Sequence, residues 1–144
     1  KEPNLVADCL SKMQSSTKLP VTIKTRIGYD DVEDYENLHN FISTLKSTGV
    51  KTFIVHARKA ILGKFTPKQN LNIPPLKYDY VYNLKKDFPK ENIIINGGIS
   101  SSNEIKQHLK KSMTPLCWRW GPNNFESGCY RIRSFTSFVR TLPT

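Results

Sequence analysis

Asn92-Ile-Ile-Ile-Asn-Gly-Gly-Ile-Ser-Ser101 reads as a short apolar strand, cut off by a double glycine and passed directly to a helix start. Three successive isoleucines favour extended backbone, because β-branched side chains pack well on a pleated surface. Ser101 or Ser102 can cap the helix that follows, which runs through Lys110 with Glu104 early in its first turn. Upstream, Thr52-Phe-Ile-Val-His-Ala57 is a second strand and Val21-Thr-Ile-Lys-Thr-Arg-Ile27 a third. The last alternates cleanly, with Val21, Ile23, Thr25 and Ile27 on one face and Thr22, Lys24 and Arg26 on the other, and Gly28 closes it.

Helical patterns fill the intervals. Leu5, Val6, Cys9, Leu10 and Met13 have helical spacing ahead of the first strand, so Cys9 is expected to pack. Asp30, Asp31, Glu33 and Asp34 crowd the start of the next helix, where the dipole favours acids; Leu38, Phe41, Ile42 and Leu45 form its stripe and Gly49 ends it. Residues 59–76 form a long connection containing Gly63, Pro67, Pro74 and Pro75. Residues 78–88 read as a helix with Val81, Leu84 and Phe88 inward, stopped by Pro89. A repeated strand–helix alternation implies a parallel sheet, and the lack of a Gly-rich dinucleotide fingerprint favours a (βα) barrel over a doubly wound fold.

Lys24, His56 and Asn96 each sit late on a strand, near the C-terminal face where barrel active sites are built. Each lies on the parity opposite a bulky apolar neighbour: Ile23, Val55 and Ile95. Three adjacent strands thus aim a cation, an imidazole and an amide at one place. Singly, a strand lysine is usually a snorkelling surface group and a strand histidine a satisfied core residue; the three together read as a site. Gly97-Gly98 offers bare backbone N–H groups beside a positive helix end, suited to a phosphate, although any strand-to-helix turn can use glycine.

A chain of 144 residues is expected to form one domain, and an apolar fraction of 38% excludes a disordered tail. No apolar run approaches the roughly 18 residues that cross a bilayer, and no signal-peptide pattern opens the chain, so neither a membrane span nor secretion is expected. Cys9, Cys117 and Cys129 are odd in number and lack metal-ligand spacing; a reducing, cytoplasmic setting with no metal fits best. The chain opens on Lys1 and not on Met, as expected of a piece of something longer. Its net charge of +10 is uneven: residues 1–50 carry 6 basic and 7 acidic groups, whereas residues 51–111 carry 12 and 4. The basic middle suits a polyanion such as RNA, with a Lys-rich solvated surface as the equal alternative.

Val21-Thr-Ile-Lys-Thr-Arg-Ile-Gly28, Phe53-Ile-Val-His-Ala-Arg-Lys-Ala60 and Ile94-Ile-Asn-Gly-Gly-Ile99 closely resemble the tRNA-dihydrouridine synthases. Pro67-Lys-Gln-Asn-Leu-Asn-Ile-Pro-Pro-Leu76, followed by Tyr82-Asn-Leu-Lys-Lys-Asp-Phe-Pro89, is similar to their A-type branch. The resemblance implies a flavin-binding (βα)8 TIM barrel in which NADPH reduces FMN and a hydride passes to C6 of a uridine in the tRNA D-loop, a cysteine donating the proton to C5. It further implies that Lys24 and His56 contact the flavin ring and that Asn96, Gly97 and Gly98 hold the phosphate end. A fixed cation near the flavin's pyrimidine edge suits the anionic reduced ring. Lys68 matches a tRNA-contacting position, Arg58 and Lys59 are placed to face RNA, and Leu71 stands where that signature has an arginine.

The family's catalytic cysteine belongs to an Asn-x-Gly-Cys-Pro loop that this chain does not contain, so no catalytic residue is assigned. The family's first four strands have no counterpart either. The expected architecture is α/β: a partial (βα)8 barrel of second-half units over residues 1–111, with a divergent tail at 112–144. Residues 1–111 hold 16 Lys and 2 Arg, whereas 112–144 hold no Lys and 4 Arg, which marks a compositional break. In Met113-Thr-Pro-Leu-Cys-Trp-Arg119, Trp118 occupies the place of the glycine in the family's phosphate-binding Gly-Arg. The fragment alone is expected to be inactive and to self-associate through two open sheet edges unless Trp118, Phe125, Ile132, Phe135 and Phe138 cover it. Two alternatives stand beside the synthase. One is a non-catalytic basic RNA-binding remnant, which would bind tRNA without yellow colour. The other is a different FMN-dependent barrel oxidoreductase, which would have no affinity for tRNA.

Overall fold

The alternation of Ile23, Lys24, Thr25 and Arg26 sets which face of the first strand meets the helices, and the rest of the sheet follows that choice. The computed structural model describes residues 2–112 and 116–117. Their elements are α1 (Pro3–Ser16), β1 (Ile23–Arg26), α2 (Tyr35–Lys46), β2 (Thr52–His56), α3 (Pro67–Asn72), α4 (Tyr78–Asp87), β3 (Asn92–Asn96), α5 (Ser102–Ser112) and β4 (Leu116–Cys117). All four strands are parallel in the order β1-β2-β3-β4. A doubly wound sheet reverses strand order at a switch point, whereas here each strand pairs with the next one in the chain. This is the winding of a (βα)8 barrel, and the chain forms part of one, as the sequence pattern implies.

One face of the sheet is dry. Phe53, Val55, Ile93 and Ile95 have no exposed surface and share a core with Leu38, Ile42 and Leu45 of α2 and Val81 and Leu84 of α4. The opposite face carries Lys24, which is exposed, and Ile54 and Ile94, which are half-buried. Among the described residues, helices thus cover only the outer face, and the face that a complete barrel turns inward carries no helix.

Three details depart from the sequence pattern. The acidic cluster does not all serve the start of α2: Asp34 caps the helix by accepting from Asn37 N at 2.7 Å, and Glu36 lies in the first turn. Asp30 instead sits in a turn at φ +48°, where its carboxylate accepts from Leu62 N at 2.7 Å and joins the β1 and β2 loops. In α1, Cys9 does not pack. That helix meets α2 along Val6, Ala7 and Leu10, which leaves Cys9 exposed in line with Leu5 and Met13. The long connection at 59–76 contains a helix, α3, because Thr66 and Gln69 form a reciprocal capping box and Pro67 supplies a preset helical φ at its start.

A two-residue strand, β4, pairs with Ile95 and Asn96 inside the segment read as tail. Trp118, Arg119 and the aromatic residues beyond them lie outside the described residues. Among the described residues, no helix is long and apolar enough to cross a membrane.

Candidate functional site

Parallel pairing brings strand ends into rows, and the last row of this sheet is Arg26–His56–Asn96–Cys117. Side chains two residues apart share a face, so Lys24 lies on the same face one row deeper, beside Ile54 and Ile94. One row is about 6.6 Å along the strand. His56 and Asn96 are therefore immediate neighbours, both 5% exposed, and Lys24, which is exposed, lies one row below them on the same face.

Backbone departs from β3 through Gly97 at φ +108° and Gly98 at φ +70°, a region that L side chains rarely adopt. Space forbids a side chain as well. A Cβ on Gly97 would lie 2.5 Å from His56 Cδ2, and one on Gly98 would lie 2.3 Å from Leu76 Cδ1. The glycine pair is thus demanded by the imidazole on one side and the start of α4 on the other. The helix start beyond it is less bare than the sequence suggests. The Glu104 carboxylate accepts from Ser100 N at 2.7 Å and from Ser101 N at 3.2 Å, while Ser101 Oγ accepts from Glu104 N. The hydrogen bond from Ser100 N holds the Glu104 carboxyl below the usual carboxylate range. An internal carboxylate thus takes up the two amides just ahead of α5, and in the turn before them Gly98 is the exposed residue between buried Gly97 and Ile99.

Arg26, absent from the residues singled out by sequence, belongs to the top row. Its Nη1 donates to Lys59 O at 2.9 Å and Asn70 O at 3.0 Å, which ties β1 to the connection above the sheet. Burial, and then the neighbouring Arg58 charge, lower its pKa. Its parity with Lys24 was the available signal. Asn70 is buried and holds the same connection: its Nδ2 donates to Ile61 O at 2.9 Å and its Oδ1 accepts from Ile61 N at 2.6 Å.

The residues expected to face RNA separate. Lys68 is exposed on α3. Arg58 turns back into the fold, donating through Nη1 to Asn72 O at 3.1 Å and to Pro74 O, so it shapes the connection that carries α3. Lys59 and Lys77 both pair with Glu33 Oε2 at 3.3 Å. The structure thus gathers His56, Asn96, Gly97 and Gly98, sets Lys24 below them, and holds Lys68 apart on a platform built by Arg26, Arg58 and Asn70.

Comparison with known proteins points the same way. The family model described as dihydrouridine synthase matches residues 1–114. The tRNA-dihydrouridine(20/20a) synthase of Pasteurella multocida (strain Pm70) is 51% identical over 107 residues, which is 74% of this chain and 33% of that protein. The proteins of the same name from Haemophilus ducreyi and Synechocystis sp. are 54% and 51% identical, each over 108 residues and 75% of this chain. The chain spans about a third of the length of the curated relatives it matches.

Proposed function

Because this chain belongs to the dihydrouridine synthase family, we propose that it forms part of the flavin-binding barrel of a tRNA-dihydrouridine synthase, one that reduces a D-loop uridine of tRNA with FMN and NADPH. The observation that carries this reading is the strand-end row of His56 and Asn96, with Lys24 beneath it and the Gly97-Gly98 turn beside it. These residues suit a flavin mononucleotide. The double-glycine turn carries no side chain to screen its backbone, with Gly98 exposed, and the exposed Lys24 shares its sheet face with half-buried Ile54 and Ile94. When bound, FMN supplies the hydride, which it takes from NADPH.

The chain's own residues do the rest of the binding and tuning. The Lys24 ammonium would offer positive charge to a bound flavin ring and so help it accept electrons. His56 offers a ring nitrogen to the ring's polar edge, and the close packing of Gly97 limits how far its imidazole can turn. Asn96 and the Gly97-Gly98 backbone hold the phosphate end. Exposed Lys68 attracts the tRNA backbone, a contribution that weakens as salt rises. Arg58 serves the same surface indirectly by fixing the connection on which Lys68 rides. The Asn-x-Gly-Cys-Pro loop that would carry the proton-donating cysteine has no counterpart in this sequence, so this chain alone is expected to make no dihydrouridine.

A chimera tests the reading. Residues 1–112 replace the matching third of the Pasteurella relative, and the product is incubated with unmodified tRNA, FMN and NADPH. The expected result is a yellow protein that forms dihydrouridine, with Lys24→Ala and His56→Ala each lowering flavin content or reduction rate. A folded chimera that binds tRNA but stays colourless favours the RNA-binding remnant. Unchanged flavin content and turnover in both variants would return Lys24 and His56 to a packing role.

A further inference from the structure

Tyr78, the first residue of α4, reaches across to the end of β3. Its Oη donates to Gly97 O at 2.7 Å and lies 3.0 Å from where a Cβ on Gly98 would stand. The ring is held from behind: it meets the buried His108 ring edge-on at 4.4 Å, and His108 Nδ1 is itself 2.5 Å from Tyr82 Oη. Glu104, through Ser100 N and Ser101 N, secures the other end of the same turn. Residues 97–101 are thus fixed at both ends by side chains from α4 and α5. Burial, and then the Glu104 charge, push the Tyr78 phenol up, so it stays an O–H donor at neutral pH.

Holding a carbonyl fixes more than one atom. The peptide between Gly97 and Gly98 is planar and trans, so its C=O and N–H point in opposite directions. Because Tyr78 draws the Gly97 carbonyl towards α4, the Gly98 N–H is turned away from α4. Two glycines at positive φ would otherwise leave this peptide free to rotate. We infer that Tyr78 is a positioning residue for the phosphate cradle: its hydroxyl locks the Gly97–Gly98 peptide so that the Gly98 N–H faces the phosphate of a flavin mononucleotide. This rests on the reading of Gly97 and Gly98 as the phosphate-holding turn. Tyr78 itself touches no flavin atom and acts through the backbone.

Comparing FMN with riboflavin tests the assignment, because the two differ only in the phosphate. The 144-residue chain, its Tyr78→Phe variant and its Tyr80→Phe variant are each titrated with both flavins by fluorescence quenching, and each is melted to check folding. The wild-type chain should prefer FMN. Tyr78→Phe should weaken FMN binding about five- to tenfold, the effect of one hydrogen bond, while riboflavin changes by less than about twofold. Tyr80→Phe, which removes a hydroxyl of the same helix that donates to Glu33 O and not to the turn, should keep the wild-type preference. Equal weakening of both flavins, a retained FMN preference, or an unfolded Tyr78→Phe chain overturns the positioning role. A matching loss of preference in Tyr80→Phe also overturns it. If the wild-type chain does not distinguish the two flavins, the phosphate reading of the turn falls, and the role of Tyr78 falls with it.

Discussion

Replacing Gly97 with alanine is expected to destabilise the fold by on the order of 3 kcal/mol and to remove flavin binding with it. Two costs combine. At φ +108° a side chain is strained wherever it points, and this one points at an imidazole, 2.5 Å from Cδ2 and 2.7 Å from Nε2. His56 is itself only 5% exposed and stands beside Asn96 in the sheet, so the ring has little room to step aside. Gly63→Ala is the matching control. Its φ of +75° carries a similar backbone penalty, but nothing lies within 4 Å of the added methyl. That variant should cost about 1 kcal/mol and leave flavin binding intact. Urea denaturation and flavin titration of both variants check this. Equal costs at the two glycines would mean that the packing of His56 on Gly97 contributes nothing.

Phe53→Ala should cost about 3–5 kcal/mol, a large share of the stability of any domain this size. Phe53 has no exposed surface and lies at the centre of the covered face, flanked in the sheet by Ile23 and Ile93. Its removal leaves a cavity between the sheet and the helices that α2 and α4 cannot fill without shifting. Ile54→Ala, one residue along, removes a half-buried side chain from the open face and should cost roughly 1 kcal/mol. Far-UV circular dichroism in urea measures both. Similar losses for the two would show that the face assigned as open is in fact covered in solution.

The periodic parts of the chain were legible because each signal is local. Three strands and four helices appear in the sequence within a few residues of where they stand, and Asn92–Asn96 is bounded as read. The α3 helix was not legible by periodicity: six residues make less than two turns, and it is defined by the Thr66–Gln69 capping box and Pro67. Its buried residue is Asn70, not an apolar one. Within the site, the shared face of Lys24, His56 and Asn96 follows from parity. The step of one row between Lys24 and the other two requires the register, which a sequence does not state. Arg26 was hidden for the same reason, since its place beside His56 exists only once β1 and β2 are aligned. Cys9 and Met13 have the spacing of a buried stripe but face outward, because helical spacing specifies a face and not the neighbour that would cover it.

The consecutive pairing of the strands also sets a timetable for synthesis. Ile23 and its partner Phe53 are 30 residues apart, and Phe53 and its partner Ile93 are 40. No strand in the described sheet has to wait for a distant part of the chain, so closing each pair costs only a moderate loop entropy. β1 and β2 can therefore join while α4 is still being made. At roughly 5–20 residues per second, β2 then waits about 2–8 s for β3 to emerge from the ribosome. For those seconds the Thr52–His56 strand presents an unpaired edge and the bare side of Phe53 and Val55 to the crowded space near the exit tunnel, and that is when a nascent-chain chaperone would have something to hold.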